Sequence, residues 1–414
     1  MSQHHDAVGD RAHPPVRPRP ETGAVSPLEL FFDLVFVFAL TQITATMAAQ
    51  LSGTGLLRGL LLVALLWWSW TGYAWLANLI QADQGIARFG MFAAMAVMFV
   101  LALTIPEAFD DAPGGLSGPV VVAVCYFAFR ALHLLLFYVS SRGDAGLRGQ
   151  LLRFTPAMLG GTALLLAAGA ADGATRTWLW VAALAVDYAG TYFGGARGWR
   201  IRSAGHFAER HGLIVIIALG ESIVAIGVGV ARLPISWPIV AASTLGLALA
   251  GGLWWAYFGI SAAAGEHALA AVTGQERAGL ARDAYSFLHL PLVAGIVLLA
   301  LGLKKTLEYV GDGQAHALTD PLKGVALIAL VGGIVMHLLA QAAFRWRTTG
   351  RLDPALPVAA LLVAPFALLG TLLPALVTLA VVTVIIVVAV TLETRLRRPA
   401  QPAEHRGAGL PADR

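Results

Sequence analysis

Charged residues are scarce in this sequence, and cysteine is almost absent. Asp, Glu, Lys and Arg make up 13% of the 414 residues, about half of the share that is usual in soluble domains. The single cysteine, Cys125, excludes an internal disulfide, and no Cys/His spacing of the zinc-binding type occurs. A disulfide-stabilised secreted domain and a zinc protein are therefore excluded, and the low charge points away from a water-soluble fold.

Sequence signatures of soluble enzymes are missing as well. There is no phosphate-binding loop, no GxSxG motif and no pair of acids in a polar loop. Residues 1–25 are rich in Pro, Arg and His and contain no apolar core, so no cleavable signal peptide is expected. We expect no cofactor, no metal and no catalytic residue of a known soluble-enzyme type.

Apolar runs of membrane-spanning length are abundant. Hydrophobic residues make up 58% of the chain, and a helix needs about 17–25 apolar residues to cross a bilayer. Twelve runs occur, near residues 28–50, 56–80, 87–106, 119–140, 152–171, 176–196, 211–231, 237–262, 284–303, 322–344, 355–371 and 373–393. They do not alternate in polarity as barrel strands do. We predict an all-α, polytopic membrane helix bundle of about twelve transmembrane helices, or eleven if the break near Pro374 does not separate the last two.

The basic residues predict the orientation of these helices. With a cytoplasmic N-terminus, 21 Lys and Arg residues fall in the cytoplasmic loops and tails, and six fall outside. Because cytoplasmic loops carry the excess of basic residues, both termini are predicted to be cytoplasmic. The basic residues are spread through short loops rather than gathered in one patch, so nucleic acid is not an expected partner.

Weak internal similarities suggest a duplication of six helices. The matched pairs are "WWSWTGY" at 67–73 with "WWAYFGI" at 254–260, "LHLLL" at 132–136 with "MHLLA" at 336–340, and Asp33 with Glu221. The predicted domains are a disordered cytoplasmic tail at 1–25, membrane halves at 26–205 and 206–395, and a second disordered tail at 396–414. Six helices per half give both halves the same orientation, which is a parallel repeat.

Two acids lie on one face of the first apolar run, "SPLELFFDLVFVFALTQIT" at 26–44. Ser26 suits the N-cap of a helix and Pro27 its first position, and Glu29 then completes a capping box. Asp33 lies about 9 Å beyond Pro27 at the helical rise. A carboxylate at that depth is costly unless it is paired, and its neighbours are apolar. We expect a polar partner on another helix, such as His133 or His289.

Other ionisable residues also fall inside predicted helices. With Asp33, they are Arg130, His133, Asp187, Glu221, His289 and His337. Two interpretations remain open. Arg130 pairs with Asp187 or Glu221 and only holds the bundle together, or the seven groups line a polar route for protons or ions. The motif "HFAERHG" at 206–212 is expected in a cytoplasmic loop, with headgroup binding or a latch as the alternatives.

Two long stretches resemble a known family. "ELFFDLVFVFAL" at 29–40 and "ERHGLIVIIALGESIVAIG" at 209–227 are similar to the signatures of the bacterial low-temperature-requirement protein A family. The resemblance implies a multi-pass protein of the bacterial cytoplasmic (inner) membrane, covers residues 26–395 and implies no particular chemistry. The residues that match the signature positions are Glu29, Asp33, Arg210, Gly220 and Glu221.

The first helix is also similar to a second family. Residues 31–36, Phe-Phe-Asp-Leu-Val-Phe, followed by Ala39 and Thr41, resemble the Phe-Ser-Asp motif of a lysosomal and bacterial potassium-channel family. That family repeats a six-helix unit whose first helices line the pore. Here Phe32 replaces the motif's serine, and the seventh helix has Gly-Glu-Ser at 220–222 instead of Phe-Ser-Asp.

Taken with these resemblances, the sequence favours movement of a small ion, proton or solute through a polar route between the halves. Asp33 and Glu221 would be the equivalent acids of that route. One alternative is a membrane-embedded enzyme or lipid-modifying protein at the cytoplasmic face. Another is an envelope-homeostasis scaffold that transports nothing. The expected partners are membrane lipids, a small ion or solute, and a second copy of the chain in a homo-oligomer.

Overall fold

A computed structural model describes residues 17–21 and 23–397. Within these residues the chain forms twelve helical segments: α1 Pro27–Ala49, α2 Gly53–Leu79, α3 Gly85–Leu103, α4 Gly118–Ser140, α5 Ala145–Gly169, α6 Gly173–Gly194, α7 Ala204–Val230, α8 Trp237–Ala271, α9 Gly274–Gly311, α10 Gly324–Thr349, α11 Ala355–Leu369 and α12 Ala375–Arg397. Ten of them, all except α6 and α11, are long and apolar enough to cross a membrane. The predicted all-α, polytopic membrane architecture is confirmed, and α11 and α12 are separate helices.

The helix ends follow the local sequence. The Ser26 side chain accepts a hydrogen bond from the Glu29 backbone N–H, and the Glu29 carboxylate accepts one from the Ser26 backbone N–H, so the predicted capping box is present. Ser52 and Ser203 cap α2 and α7 with their side chains. Gly350 ends α10 in the left-handed conformation that glycine adopts without strain. Polar residues at the ends of apolar runs therefore define where these helices begin and stop.

Neighbouring helices in the chain run in opposite directions, so α1, α7 and the other odd-numbered helices begin at one face of the bundle. Asn78 at the end of α2 binds the carbonyl of Ser203 at the start of α7. Arg345 near the end of α10 pairs with Glu393 near the end of α12. We call this face the terminal face, because α1 begins and α12 ends there.

Helices α9 and α10 pack closely against each other. A Cβ atom added at Gly302 would lie 2.4 Å from the Leu330 Cα atom, and one added at Gly295 would lie 2.6 Å from the Gly333 carbonyl oxygen. Glycine thus allows the two backbones to touch, which is how membrane helices gain dispersion energy without a hydrophobic driving force. Both α8 and α9 contain a π turn, at Tyr257–Ser261 and Ala281–Phe287.

Two sequence-based boundaries differ from the structure. The seventh helix was predicted to begin near residue 211, but α7 begins at Ala204, so the motif at 206–212 is helical rather than part of a loop. The predicted N-terminal tail ended at residue 25, whereas Arg19 is 5% exposed and donates to the Ala77 carbonyl at the end of α2. The remainder of both predicted tails, at 1–16 and 398–414, lies outside the described residues. The division into two equivalent halves stays a prediction.

Candidate functional site between α1 and α7

Asp33 and Arg210 form an ion pair inside the bundle. Each lies six residues after the first residue of its helix, α1 or α7. Arg210 Nη2 donates to Asp33 Oδ1 at 2.9 Å, and both side chains are at most 1% exposed. The indole Nε1–H of Trp70, on α2, donates to the same oxygen at 2.9 Å. The expected partner on another helix therefore exists, but it is Arg210 with Trp70, and the prediction of His133 or His289 was wrong.

Glu29 does more than cap α1. Its Oε2 atom accepts from the Ser26 backbone and from Arg19 Nη2, both at 2.8 Å, and the side chain is fully buried. Its Oε1 atom lies 2.9 Å from His206 Nε2 on α7. Arg210 Nη1 donates to the Glu29 backbone carbonyl at 2.9 Å. Glu29 thus joins the start of α1 to α7 and to the segment before α1.

The hydrogen bonds of Asn78 determine which nitrogen of His206 carries the proton. Asn78 Oδ1 accepts from the Arg202 backbone N–H, so its amide nitrogen is the atom that lies 3.2 Å from His206 Nδ1. That amide donates, and His206 Nδ1 accepts. The Nε2–H of a neutral His206 is then the donor to Glu29. The terminal-face end of the site therefore contains a neutral imidazole between the Asn78 amide and the Glu29 carboxylate.

Glu221 lies deeper along the same interface. The Thr41 hydroxyl on α1 donates to Glu221 Oε2 at 2.6 Å, and Glu221 is 2% exposed. No cationic side chain among the described residues lies within 4.0 Å of its carboxylate. Asp33 and Thr41 are eight residues apart, which is about 12 Å along a helix. The α1–α7 interface therefore holds a paired acid near the terminal face and, farther in, an acid that has no described cation within 4.0 Å and is influenced from farther away by Lys304 on α9.

Apolar side chains separate the two acids. Phe36 and Leu40 follow Asp33 on α1, and both are buried. With Trp70, Ile214 and Val293 they line a cavity of about 20 Å³. Such a volume holds about one water molecule. In this conformation the interface is closed to hydrated ions and to larger solutes.

Three polar atoms beside the ion pair have no hydrogen-bond partner among the described residues. They are Asp33 Oδ2, Arg210 Nε and His211 Nε2, and all three are buried. Arg210 also lies over the Trp70 ring, with its guanidinium carbon 5.5 Å from the ring centroid. Buried polar atoms without partners are costly, so the site has hydrogen-bonding capacity that this conformation does not use.

The remaining candidate residues lie elsewhere. Arg130 on α4 pairs with Asp187 on α6 at 3.1 Å, and Tyr126 donates to the same carboxylate. Of the two partners expected for Arg130, Asp187 is the one observed, and Glu221 is not. His133 Nε2 lies 2.9 Å from the Gly72 carbonyl. This second polar group ties α4 to α2 and α6 within the first half.

His289 and His337 lie on α9 and α10. Tyr257 on α8 lies 2.7 Å from His289 Nε2, and His289 Nδ1 is 3.0 Å from the Ala284 carbonyl. His337 Nδ1 lies 3.1 Å from the Leu292 carbonyl. Among residues 17–21 and 23–397, no cluster of His, Cys, Asp and Glu is arranged to hold a metal ion. The seven predicted residues thus divide among the α1–α7 interface, the α4–α6 pair and the histidines of α9 and α10.

Sequence reasoning missed Arg19, Trp70, His206 and Arg210 as partners of the two α1 acids. Arg210 was counted as a loop residue because it lies in a polar stretch before the apolar run. Ser203 offered a signal, since an N-cap there places His206 and Arg210 in the first two turns of a helix. In the structure, two polar residues of "HFAERHG" make contacts inside the bundle: His206 with Glu29, and Arg210 with Asp33.

Comparison with known proteins agrees with this architecture. The sequence profile described as "Bacterial low temperature requirement A protein (LtrA)" matches residues 24–391, which include every helix except the last turns of α12. An uncharacterized protein of Rhizobium meliloti (strain 1021) is 30% identical over 298 residues, covering 66% of this chain and 67% of that protein.

Proposed function

The chain belongs to the bacterial low temperature requirement A protein family, and ten of its described helices are long and apolar enough to cross a membrane; from this and the geometry of the site we propose that it moves a small ion across the membrane along the α1–α7 interface. The geometry favours the proton as that ion. Asp33 and Glu221 are the two acids of the route, at different depths, and the conformation described above is its closed state.

The observation that carries the proposal is the environment of Glu221. A carboxylate buried in a membrane protein without a counter-ion costs several kcal/mol, and binding a proton removes that cost. Thr41 supplies one hydrogen bond, and the charge of Lys304 on α9 acts on the carboxylate only from beyond 4.0 Å. Such an acid holds helices together weakly, because it forms no ion pair with a cation among the described residues. It serves well as a site that alternately binds and releases a proton.

Asp33 and Arg210 supply the second site and its control. While Arg210 donates to Asp33, the guanidinium neutralises the negative charge of the carboxylate. Separation of α1 from α7 at this level breaks the pair and frees the acid. The unused donor on Arg210 and the unused acceptor on Asp33 would then be available to water. The ion pair therefore works as a latch that keeps the terminal-face end of the route closed.

The size of the apolar seal favours protons over larger substrates. The cavity between the two acids has room for about one water molecule. Proton transfer over the roughly 12 Å between the two levels needs only a short chain of transient waters, of which this cavity holds one, whereas a hydrated cation or an organic solute requires a much larger opening.

Flux measurements on the purified protein test this proposal. The full chain is reconstituted into liposomes that contain a pH-sensitive dye, and a potassium gradient with valinomycin imposes a membrane potential. We expect acidification or alkalinisation at a rate well above that of protein-free liposomes. Parallel vesicles with Na⁺, K⁺ and Cl⁻ indicators identify the ion.

The controls separate the proposal from its rivals. Glu308→Gln, which removes an acid from the partly exposed Lys305–Glu308 pair on α9, should leave the flux unchanged. Proton flux equal to that of empty liposomes, with folded protein and a working potential, would contradict the proposal. If a different ion moves and protons do not, that ion is the transported species and the assignment of the proton is wrong.

A further inference from the structure

A large groove opens near the terminal face between α11 and α12. It has a volume of about 850 Å³ and is bordered by Ile260 in the π turn of α8. Its deeper walls are apolar and include Val358 and Leu362 of α11 and Val388 and Leu392 of α12, all of them exposed. α11 has 15 residues and α12 has 23, so the shorter helix leaves part of α12 uncovered.

The mouth of the groove is charged, with an excess of one positive charge. Arg345, Arg351 and Arg397 face two acids, Asp353 and Glu393. Arg345 pairs with Glu393, and Arg397 pairs with Asp353. Arg351 is exposed, and its guanidinium has no hydrogen-bond partner among the described residues. One arginine is therefore free to bind an anion at the level where the apolar walls begin.

Glu393 supplies an independent observation. The residue is only 5% exposed, and its Oε1 atom accepts from Arg345 and Arg397. Its Oε2 atom is buried and has no partner within the part of the chain that the structure describes. A buried carboxylate oxygen is costly without a donor. The groove thus presents a cationic site for a phosphate, and the Glu393 side chain in its lining keeps a covered, unused acceptor that a bound N–H or O–H group would satisfy once it is uncovered.

We infer that this groove binds one glycerophospholipid from the leaflet at the terminal face. Arg351 and the exposed part of Arg397 hold the phosphate, as basic pockets between membrane helices hold lipid headgroups. An ammonium or hydroxyl of the headgroup donates to Glu393 Oε2. An acyl chain lies along Val358, Leu362, Val388 and Leu392. The cavity lies in the size range of sites that enclose a small molecule, so it admits a headgroup and the first part of the chains.

This chemistry predicts which phospholipids bind. Phosphatidylethanolamine and phosphatidylglycerol carry both a phosphate and a donor. Phosphatidylcholine carries a phosphate, but its quaternary ammonium has no N–H. Diacylglycerol lacks the phosphate. The expected order of affinity is ethanolamine and glycerol headgroups first, choline next and diacylglycerol last. The inference is independent of the proposed ion movement, since the groove does not include the α1–α7 interface.

Native mass spectrometry of the delipidated full chain in detergent tests the site by titration with these four lipids of matched acyl composition. Arg351→Gln should weaken phosphatidylglycerol binding about fivefold, the effect of one basic side chain at a membrane surface. Arg88→Gln, an exposed arginine at the start of α3 on the same face, should not change it. Leu392→Trp should fill the groove and reduce binding of all lipids. Leu361→Trp, on an exposed position of α11 outside the groove, should not.

Three outcomes would overturn the inference. Equal phosphatidylglycerol binding by wild type and Arg351→Gln would show that Arg351 does not bind the lipid phosphate. Equal affinity for diacylglycerol and phosphatidylglycerol would reduce the groove to an unspecific apolar surface. A dimer that Leu392→Trp dissociates would assign the groove to a second copy of the chain. Glu393→Gln adds a separate check, because it should reduce the preference for phosphatidylethanolamine over phosphatidylcholine.

Discussion

Arg210 on α7 donates to Asp33 on α1 at 2.9 Å, and the two residues lie at equal distances from the starts of their helices. The pair fixes the relative height of two parallel helices and neutralises two charges that the bilayer would otherwise penalise. Both roles make the pair a unit, so its members should not contribute independently to stability.

A double-mutant cycle tests this coupling. Asp33→Asn and Arg210→Gln each leave one buried charge without its partner, which typically costs about 3–5 kcal/mol. The double variant removes both charges and should cost clearly less than the sum of the single variants. Free energies of unfolding in mixed micelles give the comparison. Strict additivity would show that the two side chains do not interact in solution.

Trp70 should stabilise the site through its indole N–H. Trp70→Phe keeps an aromatic ring against Arg210 but removes the hydrogen bond to Asp33, and a bond to a charged group contributes about 1.5–3 kcal/mol. Trp68→Phe is the matched control, because Trp68 is also buried in α2 and its Nε1 has no partner among the described residues. We expect the Trp70 variant to unfold at lower denaturant. Equal losses of stability in the two variants would mean that the buried ring area, and not the hydrogen bond to Asp33, accounts for the contribution of Trp70.

Helix packing requires glycine at Gly302 of α9 but not at the signature residue Gly220 of α7. A Cβ atom added at Gly220 meets no atom within 4 Å, whereas one added at Gly302 meets the backbone of Leu330. Gly302→Ala should therefore destabilise the protein by about 1–3 kcal/mol, and Gly220→Ala should leave thermal stability unchanged. If Gly220→Ala proves as destabilising as Gly302→Ala, the described packing of α7 is incorrect.

The predicted orientation places both termini in the cytoplasm, and accessibility labelling measures it. In a Cys125→Ala background, Arg200→Cys reports on the terminal face and Leu318→Cys on the loop between α9 and α10; both native side chains are exposed. In intact cells an impermeant thiol reagent should label position 318 only. Labelling at 200 and not at 318 would reverse the orientation.

Much of this architecture was predictable because it depends on local sequence. The apolar runs predicted all twelve helices, because the thickness of the hydrocarbon layer sets the length of such runs. Ser26 and Glu29 predicted the start of α1. The duplication of six helices remains a prediction. The predicted equivalence of Asp33 and Glu221 does not fit the helix starts, because Asp33 lies six residues into α1 and Glu221 seventeen residues into α7, where Arg210 is the residue at matching depth.

The partners of the buried charges were not predictable in the same way. Asp33 required a cation or donor at matching depth, but the sequence alone did not place Arg210 inside a helix or bring α2 and α7 together around α1. Polar residues before an apolar run look like a loop, and tertiary packing decided otherwise. Glu393 shows the same limit, because its burial depends on Arg345, which is 48 residues away.

Proton flux through Glu221 variants in proteoliposomes tests the central claim most directly. Glu221→Gln preserves the size of the side chain and an oxygen that accepts from Thr41, but it can no longer release a proton. Glu221→Asp retains the acid. We predict that Gln reduces proton flux per folded molecule to that of protein-free vesicles, while Asp and the Glu308→Gln control retain it. Wild-type flux in Glu221→Gln would contradict the account.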